Sequence, residues 1–261
     1  MKSKLSTDIL KLKDRSLFMR TAEGKFALRK WKDEKPEYIA DRFAKGLMKE
    51  NVVVFPASSL ARYVPGPGLH PIGLKNSEAL RAECRPMPRE EAEQDFEVIQ
   101  LVSVFVLRFG CRYLTYKRTK RLPESRLHGY YSMIFGGHIS HPEAFQLFNI
   151  FQPELGGWGL RRELAEEVRF EEKCYPEIRY KGLLYDNSQP VSTQHLGIAY
   201  DVLLRNADYQ IGERGFLLDP KFETLEGIER RASEFENWSL IVAQYERAHA
   251  GRTLQRLVRG S

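Results

Sequence analysis

Cysteine is scarce in this 261-residue chain: Cys84, Cys111 and Cys174 are odd in number and far apart. They form neither a disulfide framework nor a zinc-ligand spacing, as expected of a reducing compartment. No apolar run approaches the roughly 20 residues that a membrane helix needs. The N-terminal stretch lacks the apolar core of a secretory signal, so the expected location is the cytoplasm. No internal repeat is visible. What remains, at 42% hydrophobic and 29% charged residues, is an ordinary soluble composition. The length suits one large domain, or a catalytic domain with an appendage.

Charge is unevenly spread. Residues 1–50 hold 14 Lys and Arg against 8 Asp and Glu, whereas the rest of the chain holds 27 of each. A basic N-terminal region on a balanced body suggests an anionic partner for that region. A solubilising surface has the same composition.

The most informative stretch is Arg162-Glu163-Leu164-Ala165-Glu166-Glu167-Val168. On a helix, Glu163, Glu166 and Glu167 stand at i, i+3 and i+4 and share one face. Leu160, Leu164 and Val168 form a separate stripe, one step round, suited to burial. Three neighbouring carboxylates repel one another, and a divalent cation that prefers oxygen ligands, such as Mg²⁺, offsets that cost. A solvated acidic face is the usual explanation of a charge run. The order Arg-Glu-aliphatic-any-Glu-Glu counts against it here, being expected by chance in about one chain of this length in a thousand.

Upstream lies Tyr130-Tyr131-Ser132-Met133-Ile134-Phe135-Gly136-Gly137, an apolar strand running into a glycine pair. Strand, glycine pair, loop and carboxylate helix together resemble the Nudix hydrolase family, whose signature reads G-x5-E-x7-R-E-U-x-E-E-x-G-U, with U aliphatic. Two glutamates compete for one place in it. Gly137-x5-Glu143 and Glu154-x7-Arg162 each have the family spacing, so about eleven residues are inserted into a connection already long for a loop. Where the signature has its next glycine the chain has Arg169, and where it has its last aliphatic the chain has Phe170.

The resemblance implies an α/β/α sandwich with a mixed sheet. It implies Mg²⁺ or Mn²⁺ held by Glu163, Glu166 and Glu167 with the Gly136 carbonyl, and hydrolysis of a pyrophosphate linkage in a nucleoside diphosphate derivative. A glutamate not fully used as a ligand takes the proton of the attacking water. Arg162 orients Glu163 or an upstream glutamate through a bidentate pair. The family often recruits a further carboxylate from a loop across the sheet, and Glu213 is the candidate by order.

Taken in order, Lys4 to Lys13 reads as a short helix, and Ser16 to Trp31 as a hairpin turning at Gly24. The wording SLFMRTAEGKFALRKW is similar to the wing of the HARE helix–turn–helix family, which implies DNA binding. The resemblance covers about the first thirty residues, and a hairpin that only packs on its neighbour reads the same. Contacts by Arg20, Lys25, Arg29 or Lys30 are expected to go to phosphate. Residues 33–50 have helical spacing, and Asn51 to Phe55 is a short strand. Residues 56–77 are rich in Pro and Gly and read as loop or linker, and the polar stretch to Asp95 leads into the next domain. The expected organisation is therefore a partial winged-helix-like region at 1–32, a connecting region at 33–95 and a Nudix-type domain at 96–250.

Within that domain, Val98 to Phe109 suits a central strand buried on both faces, with Arg112 to Arg118 as its partner. Strands are also expected at Glu177 to Tyr185, His195 to Leu204 and Gly215 to Leu218, with one or two amphipathic helices over Glu223 to Arg247. Arg118, Arg126 and His128 belong to a basic cluster able to hold a substrate phosphate, although an edge strand often carries cations without a ligand. His138 beside the glycine pair and His195 in an apolar strand read first as hydrogen-bonded structural residues, each capable of touching ligand. Tyr130, Tyr131 and Trp158 could stack a base but fit a core equally. The alternative reading of the whole is a nucleotide-sensing, DNA-binding regulator with a weak or inactive Nudix domain.

Overall fold

The computed structural model describes residues 2–12, 15–22, 25–31, 51–119, 128–139, 164, 168–170, 176–211 and 217–259. The N-terminal region forms helix α1 (Lys2–Leu12) and a hairpin of β1 (Phe18–Ala22) and β2 (Lys25–Leu28). Ser16 ties them together: its hydroxyl donates to Asp8 at 2.6 Å and accepts from the Phe18 amide at 3.1 Å. Arg29 donates from Nε to the Ser16 carbonyl at 2.9 Å and from Nη2 to the Phe18 carbonyl at 3.2 Å. That guanidinium is engaged in closing the hairpin. Of the four cations expected to meet phosphate, Lys25 and Lys30 are exposed.

The expected strand at Asn51 to Phe55 is present, but residues 57–92 depart from the expected linker. Residues 51–92 form β3 (Asn51–Pro56), a 3-10 turn (Ala57–Arg62), β4 (Gly68–His70), α2 (Leu74–Glu83), β5 (Arg85–Pro88) and the short α3 (Arg89–Ala92). Val52 to Phe55 are all buried, which is what holds this stretch in the sheet. Pro86 and Pro88 misled the reading. They lie on β5, whose described pairing is with β3 alone, and an edge strand tolerates a residue with no donor.

The chain continues through β6 (Val98–Phe109) and β7 (Arg112–Arg118), joined at Gly110 with φ +58°, then β8 (Tyr131–Ser132) and β9 (Ile134–Phe135). Next come β10 (Val168–Arg169), β11 (Glu177–Tyr185), α4 (Pro190–Thr193) and β12 (His195–Leu203). Then follow β13 (Gln210–Ile211), β14 (Leu217–Thr224), α5 (Leu225–Arg230) and α6 (Asn237–Arg259). One ten-stranded sheet runs β14-β7-β6-β12-β11-β4, with β3, β5, β8 and β9 attached off that path. β6 and β12 are parallel, and β3, β7 and β9 pair antiparallel with β6, so the sheet is mixed as expected.

Alternation along β6 sorts the molecule into two layers of core. Ile99, Leu101, Phe105 and Leu107 face one side, with Leu164, Val168, Leu80, Leu196, Ile198 and Tyr200. Val102, Val104 and Val106 face the other, with Ala199, Ile228, Val242 and Ala243. Helices therefore cover both faces: α2 and helical Leu164 on the first, α5 and α6 on the second. This is the α/β/α sandwich expected from the sequence. Among the described residues, no helix is long and apolar enough to cross a membrane.

Two polar anchors seat α6. Lys181, with 8% of its side chain exposed, reaches Asp201 at 2.8 Å and also pairs with Glu246 of the helix, whose other oxygen accepts from Tyr113 at 2.8 Å. Glu236 caps the helix start, accepting from the Trp238 amide at 2.8 Å and the Ser239 amide at 3.0 Å. Burial raises the Glu236 pKa above the ordinary value. The Ser239 hydroxyl, the Arg118 charge and the Ser132 hydroxyl oppose that shift without cancelling it. A carboxyl raised on folding stabilises fully below its unfolded pKa, and that contribution is lost as pH rises through the folded one. Urea unfolding of wild type against Glu236→Gln should therefore show wild type losing stability relative to the variant from acid towards neutral pH. A pH-independent difference between them would contradict this assignment.

Candidate active site

The glycine pair is fixed to the middle of β6. The Ser103 amide donates to the Gly137 carbonyl at 2.9 Å, and its hydroxyl donates to the same oxygen at 3.2 Å. Gly136 has φ +137°, and a Cβ there would come within 2.0 Å of the Ser103 carbonyl oxygen. Both the dihedral and the contact demand glycine. The expected single strand before it is split at Met133, where the chain crosses from β8, paired with β7, to β9, paired with β6.

Phe135 and Ile139 flank the pair and share a core cluster with Leu164 and Val168. Leu164 and Val168 are each fully buried as expected, but only Leu164 is helical: Val168 opens β10 and departs from the helical stripe read from the sequence. Val168 then pairs with Ile211, and Arg169 with Gln210. Arg169, which stands at the signature's glycine, is thus a strand residue. This pairing also joins the chain one residue beyond Glu167 to the chain two residues before Glu213. Arg162, Glu163, Glu166 and Glu167 lie outside the described residues, as do Arg126, Glu143, Glu154 and Glu213.

Of the expected phosphate-holding residues, Arg118 and His128 are described. Arg118 alternates with Leu114 and Tyr116, which belong to the same core cluster as Leu164. Its Nη1 donates to the Tyr116 hydroxyl at 3.3 Å, while its buried Nε has no hydrogen-bond partner among the described residues. His128 sits in the turn where the Gly129 amide returns to the Arg118 carbonyl at 2.9 Å. The structure therefore brings the turn that carries His128 back to Arg118 through Gly129, and places Arg118 by alternation on the Leu164 side of the sheet. Tyr130 is exposed, and Tyr131 is flanked by Lys117, Lys221 and Arg231, with Arg231 4.2 Å from its ring centre.

The two histidines meet across β6. His138 lies opposite Val102 on one edge of that strand and His195 opposite Gln100 on the other, and their Nε2 atoms are 3.2 Å apart. Burial first, then the Arg89 charge and His195, hold the His138 imidazole well below the ordinary histidine range. Glu93, just past α3, completes a group whose ligand-type atoms all lie within 4.8 Å of one another. Neither Glu93 nor Gln100 was singled out from the sequence. No local signal marks them, because the cluster is assembled by strand register over about a hundred residues.

The fold has a counterpart among solved structures. The crystal structure of Tm1382, provisionally assigned as a Nudix hydrolase, aligns at a TM-score of 0.59 and 24% identity, covering 75% of this chain and 97% of that one. The chain therefore has the fold of that protein. Protein YmaB of Bacillus subtilis is 30% identical over 136 residues, covering 52% of this chain and 64% of its own length. The match thus spans less than two thirds of that relative. The NUDIX domain of Shewanella oneidensis NrtR, solved with ADP ribose, aligns at a TM-score of only 0.39 and 20% identity. That likeness is too remote to bear on this chain. No family model matches.

Because Gly136 combines a positive φ with backbone contact on the far side, Gly136→Ala should lower unfolding free energy by at least about 2 kcal/mol. Thermal or urea unfolding checks this, and a variant as stable as wild type would show that the loop can re-form without that contact.

Proposed function

We propose that the chain is a divalent-metal-dependent hydrolase of the Nudix type, cleaving a pyrophosphate linkage in a nucleoside diphosphate derivative. The observation that carries the reading is the meeting, in one core cluster, of residues flanking the glycine pair with Leu164 and Val168 of the carboxylate stretch. In the sequence pattern, Glu163, Glu166 and Glu167 stand one step round from those buried residues. Three carboxylates with the Gly136 carbonyl make an all-oxygen donor set, which fits Mg²⁺ or Mn²⁺. A bound ion of that kind supplies neutralisation of the pyrophosphate and a lowered pKa for coordinated water.

The chain's own residues do the rest. A glutamate of the set, with Glu167 our choice, accepts the proton of the attacking water as the new P–O bond forms and the bridging P–O bond breaks. Arg162 positions Glu163 or one of Glu143 and Glu154. Arg118, Arg126 and His128 hold the phosphate oxygens. Glu213 is the further carboxylate, a role supported by the pairing of Ile211 with Val168.

Turnover of a panel of nucleoside diphosphate derivatives with Mg²⁺ tests the proposal. Glu167→Gln should reduce kcat by at least about 100-fold, the usual scale for losing a general base. Arg118→Ala should act mainly by raising KM. Absence of turnover on every member by the folded wild-type chain would sink the hydrolase reading.

The alternative is a DNA-binding sensor. It is supported by the observed order of α1 followed by the β1–β2 hairpin with exposed Lys25 and Lys30. Its distinguishing result is retention of duplex DNA by the full chain, weakened by salt and by Lys25→Ala with Lys30→Ala.

A further inference from the structure

The Glu93, His138 and His195 cluster lies on the opposite face of the sheet from Leu164 and Val168. Gln100 and Val102, the register partners of His195 and His138, alternate with Ile99 and Leu101. Ile99 and Leu101 face the layer that holds Leu164, and Val102 faces the layer of α5 and α6. The two histidines therefore project on the far side from Leu164, straddling β6 with their Nε2 atoms 3.2 Å apart.

We propose that Glu93, His138 and His195 form a second metal site, built for a transition ion such as Zn²⁺. Two imidazole nitrogens bonded to one tetrahedral ion at about 2.0–2.1 Å stand roughly 3.3 Å apart, close to the separation observed. Nitrogen ligands suit Zn²⁺ and its neighbours, whereas Mg²⁺ requires oxygen. Two histidines and one glutamate leave a fourth position for water, the arrangement of an open zinc site.

A second observation is independent of the ligand set. Gln100 is fully buried, and neither its amide oxygen nor its amide nitrogen has a hydrogen-bond partner among the described residues. Orphaned amides of this kind are rare and call for a water or an ion close by. Gln100 stands beside His195 in register and on the same face, where it can serve a metal-bound water. Glu93 is also paired with Arg89 at 3.4 Å. This orients the carboxylate in the manner of an outer partner, while adding a positive charge that disfavours weakly bound cations.

The competing explanation is a plain N–H···N hydrogen bond between neutral rings, and metal titration separates the two. Chelator-stripped full-length chain should bind one Zn²⁺ tightly in the presence of excess Mg²⁺. With Co²⁺ it should show the intense visible absorption of a tetrahedral site, which an all-oxygen site does not give. His195→Gln and Glu93→Gln should each weaken Zn²⁺ by more than about 100-fold, beyond the cost of losing an outer partner. Glu93 is only partly buried at the end of a surface helix, so its variant should fold and keeps the test decisive. Glu167→Gln should retain the tetrahedral spectrum. Failure of wild type to bind Zn²⁺ under these conditions, or equal binding by Glu93→Gln and His195→Gln, overturns the second site.

Discussion

The structure depends on the burial of β6 on both faces. Ten of its twelve residues are buried, Val98 to Leu107, so neither side of the strand can be left to water. Each fully buried aliphatic or aromatic side chain contributes about 1.5–3 kcal/mol, and this forces a helical layer on each face. The strand pairs along one edge with β12 and along the other with β3, β9 and β7 in turn. The glycine pair and both clustered histidines are therefore positioned against it. The glycine pair is hydrogen-bonded to Ser103, His138 stands opposite Val102, and His195 stands opposite Gln100.

Two-sided burial also separates the described residues on which the two proposals rest. The odd-numbered face of β6 carries Leu164 and Val168, the described residues of the stretch in which the proposed oxygen ligands lie. The even-numbered face carries the histidine pair, with Ala92 of α3 packed with Val54 and Val98. Gly136 to Ile139 connects the two, since Ile139 packs on the first face while His138 projects to the second. The two proposals thus draw on one four-residue turn, through the Gly136 carbonyl for one and the His138 imidazole for the other.

Much of this was legible in the sequence because its determinants are local. The largely apolar run of Val98 to Leu107 announces a strand buried on both faces, and the burial of Leu164 and Val168 was legible too, although Val168 lies on a strand and not on the expected helix. The glycine pair was read from its neighbours, although its reason, the Ser103 carbonyl pressed against Gly136, is a tertiary contact. The strand at Asn51 to Phe55 was legible, but the elements of residues 57–92 were not, because proline and glycine usually mark loops, whereas edge position lets β5 carry two prolines. The histidine cluster was invisible for a different reason. Its members are separated by 45 and 57 residues and meet only through the register of β6 with β12 and with the glycine turn.

The account's central claim, water attack on a phosphorus of a pyrophosphate, is tested most directly by running the Mg²⁺-dependent reaction in heavy-oxygen water. Mass spectrometry of the products then locates the label. The account predicts one heavy oxygen in a phosphate group of one product, and none without added metal. Products with unlabelled phosphate, or label taken up at carbon, would contradict it.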